Sequence, residues 1–195
     1  VEAVGSGLVT EARLDESVRR ILAQKFRLGL FENPYVDPAA AEGLVGRPEF
    51  QAAADEAQRR SLVLLENRGR LLPLRPGARV FLRGIAPEAA QARGLVVVAT
   101  PEEAEVALVR IAAPYQTRHP HHFFGSRQHE GDLDFKPDSE DLAAVRAAST
   151  RVPTVVTVLL DRPAILGEVR DRAAALIGNF GVADGPLLDV MPGRA

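Results

Sequence analysis

The sequence predicts an α/β fold, a three-layer α/β sandwich with a mostly parallel sheet. Beyond Pro76, short runs rich in Val, Leu and Ile alternate with segments of helical periodicity. The runs are apolar at nearly every position, as strands are when helices cover both faces of a sheet. Alternation of strands and helices along a chain is typical of parallel sheets. Strands are predicted at 79–83, 95–99, 106–111, 155–160 and 174–179, and helices at 88–93, 139–148, 165–172 and 186–190.

The first element is an amphipathic helix at 15–28. Apolar side chains recur at helical spacing between Val18 and Phe26. Asp15 can cap the start of this helix, and Gly29 stands where a left-handed residue often ends one. The sequence therefore predicts a helix with one apolar face.

An extended linker is predicted at 30–46, because Asn33, Pro34 and Pro38 interrupt regular structure there. The change of pattern indicates a domain boundary. We therefore divide the chain into residues 1–46 and a domain of residues 47–195.

The predicted domain opens with a helix at 48–60, which has proline at its first turn, and a short strand at 61–65. The next apolar segment, 71–74, contains Pro73. Proline cannot donate a hydrogen bond to a neighbouring strand, so this segment is predicted to pack along a connection.

Composition excludes several classes of function. The 195 residues, 46% of them hydrophobic, suffice for one sizeable core, and 24 Lys and Arg face 26 Asp and Glu without a basic run. Nucleic acid is therefore an unexpected partner. No apolar run reaches the length of a membrane span, so no membrane partner is predicted. The absence of cysteine excludes disulfides and thiolate metal sites and fits a reducing compartment such as the cytoplasm without requiring one.

The candidate site is the long irregular segment at 113–138, which follows a predicted strand. Open α/β sheets bind ligands beyond the carboxyl ends of their strands, and loops of this length are usually functional. Polar groups beside aromatic rings suit a sugar, and the alternative is a solvated loop without a ligand. The segment contains Tyr115, Arg118, His119, His121, His122, Phe123, Phe124, Arg127, His129, Glu130, Asp132 and Asp134.

Glu130 is the predicted general acid/base of this segment, the alternative being a surface glutamate at a turn. It precedes Gly131, which lets backbone approach a ligand closely, and His129 and Arg127 are predicted to tune its proton affinity. Arg127, His129 and Asp132 are the predicted substrate-binding residues. Asp132 and Asp134 alternate with apolar residues, so a short strand facing solvent is the alternative for them.

A metal site is a competing hypothesis, since His119, His121 and His122 offer nitrogen ligands. Pro120 stiffens the run, and no helical pair or known metal motif is present. We therefore predict no metal and no cofactor.

A charged pair, Asp161 and Arg162, follows the predicted strand at 155–160. An ion pair that ends the strand is the favoured interpretation. The alternative is that both side chains turn toward the candidate loop.

Six segments resemble glycoside hydrolase family 3, and the resemblance covers essentially the whole chain. RLDESVRRILAQKFRLGLFENPYVD is similar to the helix and linker that leave the barrel of these enzymes, and RRSLVLLENRGRLLPL to the entry into their second domain. Four further segments resemble the body of that domain in bacterial β-glucosidase-like members: RIAAPY, EGDLDF, VPTVVTVLLDRPAIL and ALIGNFGVADGPLLDVMPGR.

The resemblance implies the C-terminal α/β domain of a retaining β-glycosidase acting on a β-glycoside, with residues 1–46 as the last barrel helix and linker. Retention uses two carboxyl groups about 5 Å apart. The nucleophilic aspartate is expected upstream of Val1 and the acid/base in a loop of this domain, so the chain alone is expected to be inactive. Both ends are expected to be truncated, and any signal peptide lies outside the sequence, so localisation stays open.

The chain departs from the family where an acid is expected. Gln116 and Thr117 follow Tyr115, and Gly125 and Ser126 stand where a related glutamate would lie. These departures favour the alternative of a non-catalytic carbohydrate-binding or scaffold domain. A homo-oligomer is a further possibility, because a separated domain exposes the apolar face that the barrel would cover.

Overall fold

The computed structural model describes residues 1–124 and 127–193. The chain forms two compact units, Val1–Arg47 and Pro48–Ala195. Gly125 and Ser126, at which the family comparison expects a glutamate, lie outside the described residues.

The first unit contains helices α1 (Glu2–Gly5), α2 (Glu11–Arg27) and α3 (Pro38–Leu44). The predicted cap of α2 was wrong, because the helix begins one turn earlier. There the Thr10 side chain accepts a hydrogen bond from the backbone N–H of Arg13 at 3.2 Å. Gly29 has the predicted left-handed conformation, with φ of +66°.

Helix α3 corrects the prediction of an extended linker. Asp37 caps this helix by accepting a hydrogen bond from Ala39 N–H at 3.0 Å, and Pro38 occupies its first turn. Proline lacks the N–H that a first turn leaves unpaired in any case, so it can begin a helix as well as interrupt one.

The second unit is a six-stranded sheet with helices on both faces, which confirms the predicted α/β sandwich. The strands lie in the order β1-β6-β5-β4-β2-β3, all parallel to their neighbours except β1, which is antiparallel to β6. Its elements are α4 (Pro48–Ser61), β1 (Val63–Asn67), β2 (Arg79–Arg83), α5 (Pro87–Gln91), β3 (Val96–Val97), β4 (Val106–Ala112), α6 (Glu140–Ser149), β5 (Thr154–Leu159), α7 (Gly167–Arg172), β6 (Ala175–Asn179) and α8 (Asp184–Val190).

Two cores, one on each face of the sheet, hold the layers together. Leu108 on β4 faces the core shared with α5 and α8, whereas its neighbour Val109 faces the core shared with α6 and α7. Neither side chain is exposed. Successive side chains of a strand point to opposite faces, so a continuous apolar run serves both cores.

The order in which strands are added to the sheet reverses between the parallel strands β2 and β4, because β2 leads outward to β3 and β4 leads to β5 on the other side. Such a switch point often forms a ligand crevice. Here two internal ion pairs lie at this end of the strands, Arg83 with Asp141 at 3.2 Å and Arg110 with Asp184 at 2.6 Å. The longer segment that follows β4 lies at the same edge of the sheet and is the candidate site.

Candidate active site

The long segment after β4 is tied at its two stems by a backbone bridge. The N–H of Gln116 donates to the carbonyl of Glu130 at 2.8 Å, and the N–H of Glu130 donates to the carbonyl of Gln116 at 3.0 Å. Gln116 lies four residues beyond the end of β4. The backbone of Glu130 is therefore fixed near the carboxyl edge of the sheet.

The carboxylate of Glu130 is paired with His119. The Nδ1 atom of His119 lies 2.8 Å from one carboxylate oxygen and 3.1 Å from the other. The Glu130 side chain is 31% exposed and that of His119 is 51% exposed. The hydrogen bond from His119, assisted by Arg118, lowers the pKa of Glu130, although partial burial acts in the opposite direction. The prediction that His129 and Arg127 tune this carboxyl was therefore wrong.

His129 points to a different carboxylate. Its ring stacks on Tyr115 with 3.7 Å between centroids and 13° between planes, and its Nδ1 bonds to the carboxylate of Asp161. Asp161 follows β5 directly after Leu160, so residues behind two adjacent strands meet here. Tyr115 remains half exposed, which leaves aromatic surface available to a ligand.

Gly131 brings the backbone close to the side chain of Gln116, and its predicted close approach to a ligand stays a prediction. Its φ is +77°, and a β-carbon at this position would overlap the side chain of Gln116. The carbonyl of Gly131 accepts a hydrogen bond from Arg162 Nη2 at 2.7 Å. Asp161 and Arg162 thus both turn toward the loop, and the favoured interpretation of a strand-ending ion pair was wrong.

The other two predicted binding residues lie apart from this group. Asp132 is exposed and pairs with Lys136 at 3.2 Å, and Arg127 is exposed, with its backbone N–H donating to the carbonyl of Phe124. Asp134 makes a single bridge to Ile165 and does not form the short strand proposed as an alternative. The structure therefore assembles Glu130 and His129. It adds His119, which the sequence suggested only as a metal ligand, and Asp161, whose turn toward the loop was the less favoured alternative.

Metal binding gains no support from this geometry. Within residues 1–124 and 127–193, no three His, Cys, Asp or Glu side chains are grouped as metal ligands would be. The rings of His119 and His122 stack with 4.9 Å between centroids, and Nδ1 of His119 is already hydrogen-bonded to Glu130.

No helix in the described part of the chain is long and apolar enough to span a bilayer.

We expect His119→Ala to raise the pKa of Glu130. The substitution removes the hydrogen bond that most strongly favours the ionised carboxylate, while partial burial still favours the neutral form. The carboxyl should then take up its proton at a higher pH than in the wild type. Titration of the Glu130 side-chain carbon by NMR measures this, and His121→Ala is the matched control. An unchanged titration midpoint in His119→Ala would contradict the pairing.

Comparison with known proteins shows what the whole chain is similar to. No protein-family profile matches the chain. The chain is 55% identical over its whole length to the periplasmic beta-glucosidase/beta-xylosidase of Dickeya chrysanthemi, and 39% identical over 99% of its length to the probable beta-glucosidase C of Aspergillus flavus. It spans 30% of the length of each of these curated relatives.

Solved structures show the same fold. The beta-glucosidase of Listeria innocua in complex with gluconolactone matches the whole chain with a TM-score of 0.70 and 21% identity, over 32% of that structure. The b-glucosidase EmGH1 of Erythrobacter marinus matches 98% of the chain with a TM-score of 0.71 and 20% identity, over 35% of that structure.

The α/β sandwich is the fold that these solved structures share with the chain, and the curated relatives that match it are named beta-glucosidase or beta-xylosidase. The full coverage of the chain and the partial coverage of these relatives are consistent with the C-terminal α/β domain of glycoside hydrolase family 3, which the resemblance of its segments predicted.

Proposed function

We propose that this chain supplies the substrate-capping part of a retaining β-glycosidase site, with Glu130 as the acid/base. The observation that carries the proposal is the position of Glu130. Its backbone is tied to Gln116 behind β4, and its carboxylate is half-buried beside His119 at the carboxyl edge of the sheet. Ligands of open α/β sheets bind at this edge.

The proposal requires a longer protein, the full-length protein below, in which a barrel domain precedes the α/β domain and carries the nucleophilic aspartate. Residues 1–46 are then the last barrel helix and the linker. In support, α2 is amphipathic and leaves Ile21 and Phe26 about 60% exposed in this chain. The curated relatives, each about three times as long as the chain, leave room for such a domain.

The proposed reaction has two steps. The barrel aspartate attacks the anomeric carbon while Glu130 protonates the departing oxygen, and a water molecule, deprotonated by Glu130, then releases the sugar. A hydrogen-bonded pair shares its protons, so the proton that leaves in the first step belongs to the pair of Glu130 and His119. Substrate that displaces His119 from the carboxylate would raise the pKa of Glu130 and so favour the acid form.

The substrate class proposed is a β-glucoside or β-xyloside. The names of the Dickeya and Aspergillus relatives refer to enzymes acting on these sugars. In this chain, exposed Tyr115 and the half-exposed His119 offer a ring surface and a hydrogen-bonding nitrogen to a sugar.

A second candidate is a non-catalytic carbohydrate-binding or scaffold domain of the same fold. The lowered pKa of Glu130 favours it, because lowering the pKa of a carboxyl reduces the protonated fraction that could serve as a general acid. In this alternative the full-length protein binds β-glycosides without turnover.

We expect the full-length protein to hydrolyse 4-nitrophenyl β-glucoside or β-xyloside, and the chain alone to release no nitrophenol above background. The chain by itself lacks the proposed nucleophile, and acid/base catalysis without it does not form the glycosyl intermediate. Nitrophenol release by both proteins at equal concentration is the measurement. Turnover by the chain alone would contradict the divided site, and a full-length protein that binds but does not hydrolyse would favour the second candidate.

A further inference from the structure

The two residues that flank Glu130 are held by consecutive residues behind β5. His129 is bonded through Nδ1 to the carboxylate of Asp161, and Gly131 accepts a hydrogen bond from Arg162 at 2.7 Å. No ion pair joins Asp161 to Arg162 among the described residues. The segment around Glu130 is therefore fastened on each side of the carboxylate.

The two residues that hold this segment, Asp161 and Arg162, follow a rigid strand, β5. All but the last residue of β5 are buried, and the strand pairs along its whole length with β4 on one side and along five residues with β6 on the other. Asp161 and Arg162 follow this strand within two or three residues. A hydrogen bond from a residue next to a rigid strand fixes the position of the loop relative to the sheet. A hydrogen bond from another loop residue would not, because both partners would move together.

Arg162 is a partly buried residue. Its Nη1 atom is buried without a hydrogen-bond partner in the described chain, while Nη2 donates to the Gly131 carbonyl. An arginine whose only role was to keep the surface soluble would expose both terminal nitrogens, Nη1 and Nη2, to water, because leaving a buried N–H unpaired costs free energy. The retained bond to Gly131 indicates a local role for this side chain.

Further contacts fix the same segment from both directions. The backbone bridge to Gln116 holds Glu130 from the β4 side, and Tyr115 stacks on His129. Beyond Gly131, the N–H of Ile165 donates to the carbonyl of Leu133 at 2.8 Å. Glu130 thus lies on a short span that is held between the ends of two adjacent strands.

We infer that Asp161 and Arg162 are positioning residues that set the place of the Glu130 carboxylate. This inference rests on the proposed acid/base role of Glu130 and extends it to two residues that do not touch the substrate. A displacement of about 1 Å in a catalytic group can lower a rate by about 10²-fold. The rate should fall for glycosides whose leaving group must be protonated as it departs. It should fall little for glycosides of a strongly acidic phenol, because such a phenol departs without a proton.

The test compares leaving groups in the full-length protein. In Arg162→Ala and Asp161→Ala, we expect kcat on a methyl or other alkyl β-glucoside to fall by about 10- to 100-fold. On 2,4-dinitrophenyl β-glucoside, kcat/KM, which reports the glycosylation step, should stay within about threefold of wild type. Asp161→Asn should recover most of the loss, because its amide oxygen still accepts from His129. Arg151→Ala, which removes an exposed arginine paired with Glu102, is the matched control.

Hydrogen exchange on the full-length protein gives a second readout that is independent of chemistry. Peptides covering residues 129–134 should exchange faster in Arg162→Ala and Asp161→Ala, with the strands of the sheet unchanged. Wild-type exchange in this segment would overturn the inference. The inference would also be overturned if Arg162→Ala and Asp161→Ala kept the wild-type kcat on alkyl glucosides while Glu130→Ala lost activity in a way that depends on the leaving group.

Failure of the proposed function gives a different result. If Glu130→Ala shows no dependence on the leaving group, the acid/base role of Glu130 is wrong, whatever Arg162→Ala and Asp161→Ala do. The exchange of residues 129–134 then still decides whether Asp161 and Arg162 hold the segment.

Discussion

Glu130→Ala in the full-length protein is expected to lower kcat on alkyl β-glucosides by about 10²- to 10⁴-fold, the usual contribution of a general acid/base. On 2,4-dinitrophenyl β-glucoside the first step needs no proton, so the glycosyl intermediate should form and then wait for a water that no base activates. KM should fall together with kcat on this substrate, because the intermediate accumulates. Steady-state and burst kinetics on both substrates measure these changes.

Azide provides the decisive control for this prediction. It is a nucleophile that needs no general base, so it should restore the second step in Glu130→Ala and yield the β-glycosyl azide. Asp134→Ala removes another acid of the same loop, one that is exposed and lies 3.9 Å from Lys136, and should leave kcat within about threefold of wild type. Full activity of Glu130→Ala would favour an acid/base elsewhere, and a uniform loss without azide rescue would favour misfolding of the loop.

Leu108→Ala is expected to lower the free energy of unfolding by about 2–5 kcal/mol. Leu108 lies on β4 between β2 and β5 and is 0% exposed in the core beneath α5 and α8. Removing most of its side chain loses apolar contacts and leaves a cavity that the surrounding strands cannot close. Urea unfolding followed by circular dichroism at equal protein concentration measures the change.

The matched control for the core prediction is Leu65→Ala on the edge strand β1. Leu65 is 44% exposed, so the same substitution removes less apolar surface from the folded interior and should cost less than half as much as Leu108→Ala. Equal losses for the two variants would contradict the assignment of Leu108 to the centre of the core.

Strands were predicted closely wherever apolar runs were continuous. The strand at 79–83 coincides with β2, and the predictions at 106–111 and 155–160 differ from β4 and β5 by single residues at their ends. These strands are buried on both faces, so local sequence and tertiary packing favour the same conformation. At the edge of the sheet the predicted 95–99 shrinks to Val96–Val97, because only one neighbour is available for pairing.

The helix caps show where local reading fails. Asp15 and Thr10 are both suitable caps before an apolar repeat, and the structure uses Thr10. Pro38 was interpreted as a breaker and instead begins α3. A single residue type permits either role, and the neighbouring backbone decides which one it takes.

The sequence by itself determined the layers of this domain and the segment that holds the candidate site. Periodicity and apolar runs are local properties, and the loop behind β4 is defined by its length and by the residues it contains. The tertiary structure decided the partners within the site. His119 reaches Glu130 across 11 residues and Asp161 reaches His129 across 32. The first contact depends on the Gln116–Glu130 bridge that folds the loop back on itself, and the second on the parallel register that brings the ends of β4 and β5 together. No spacing along the chain encodes either contact.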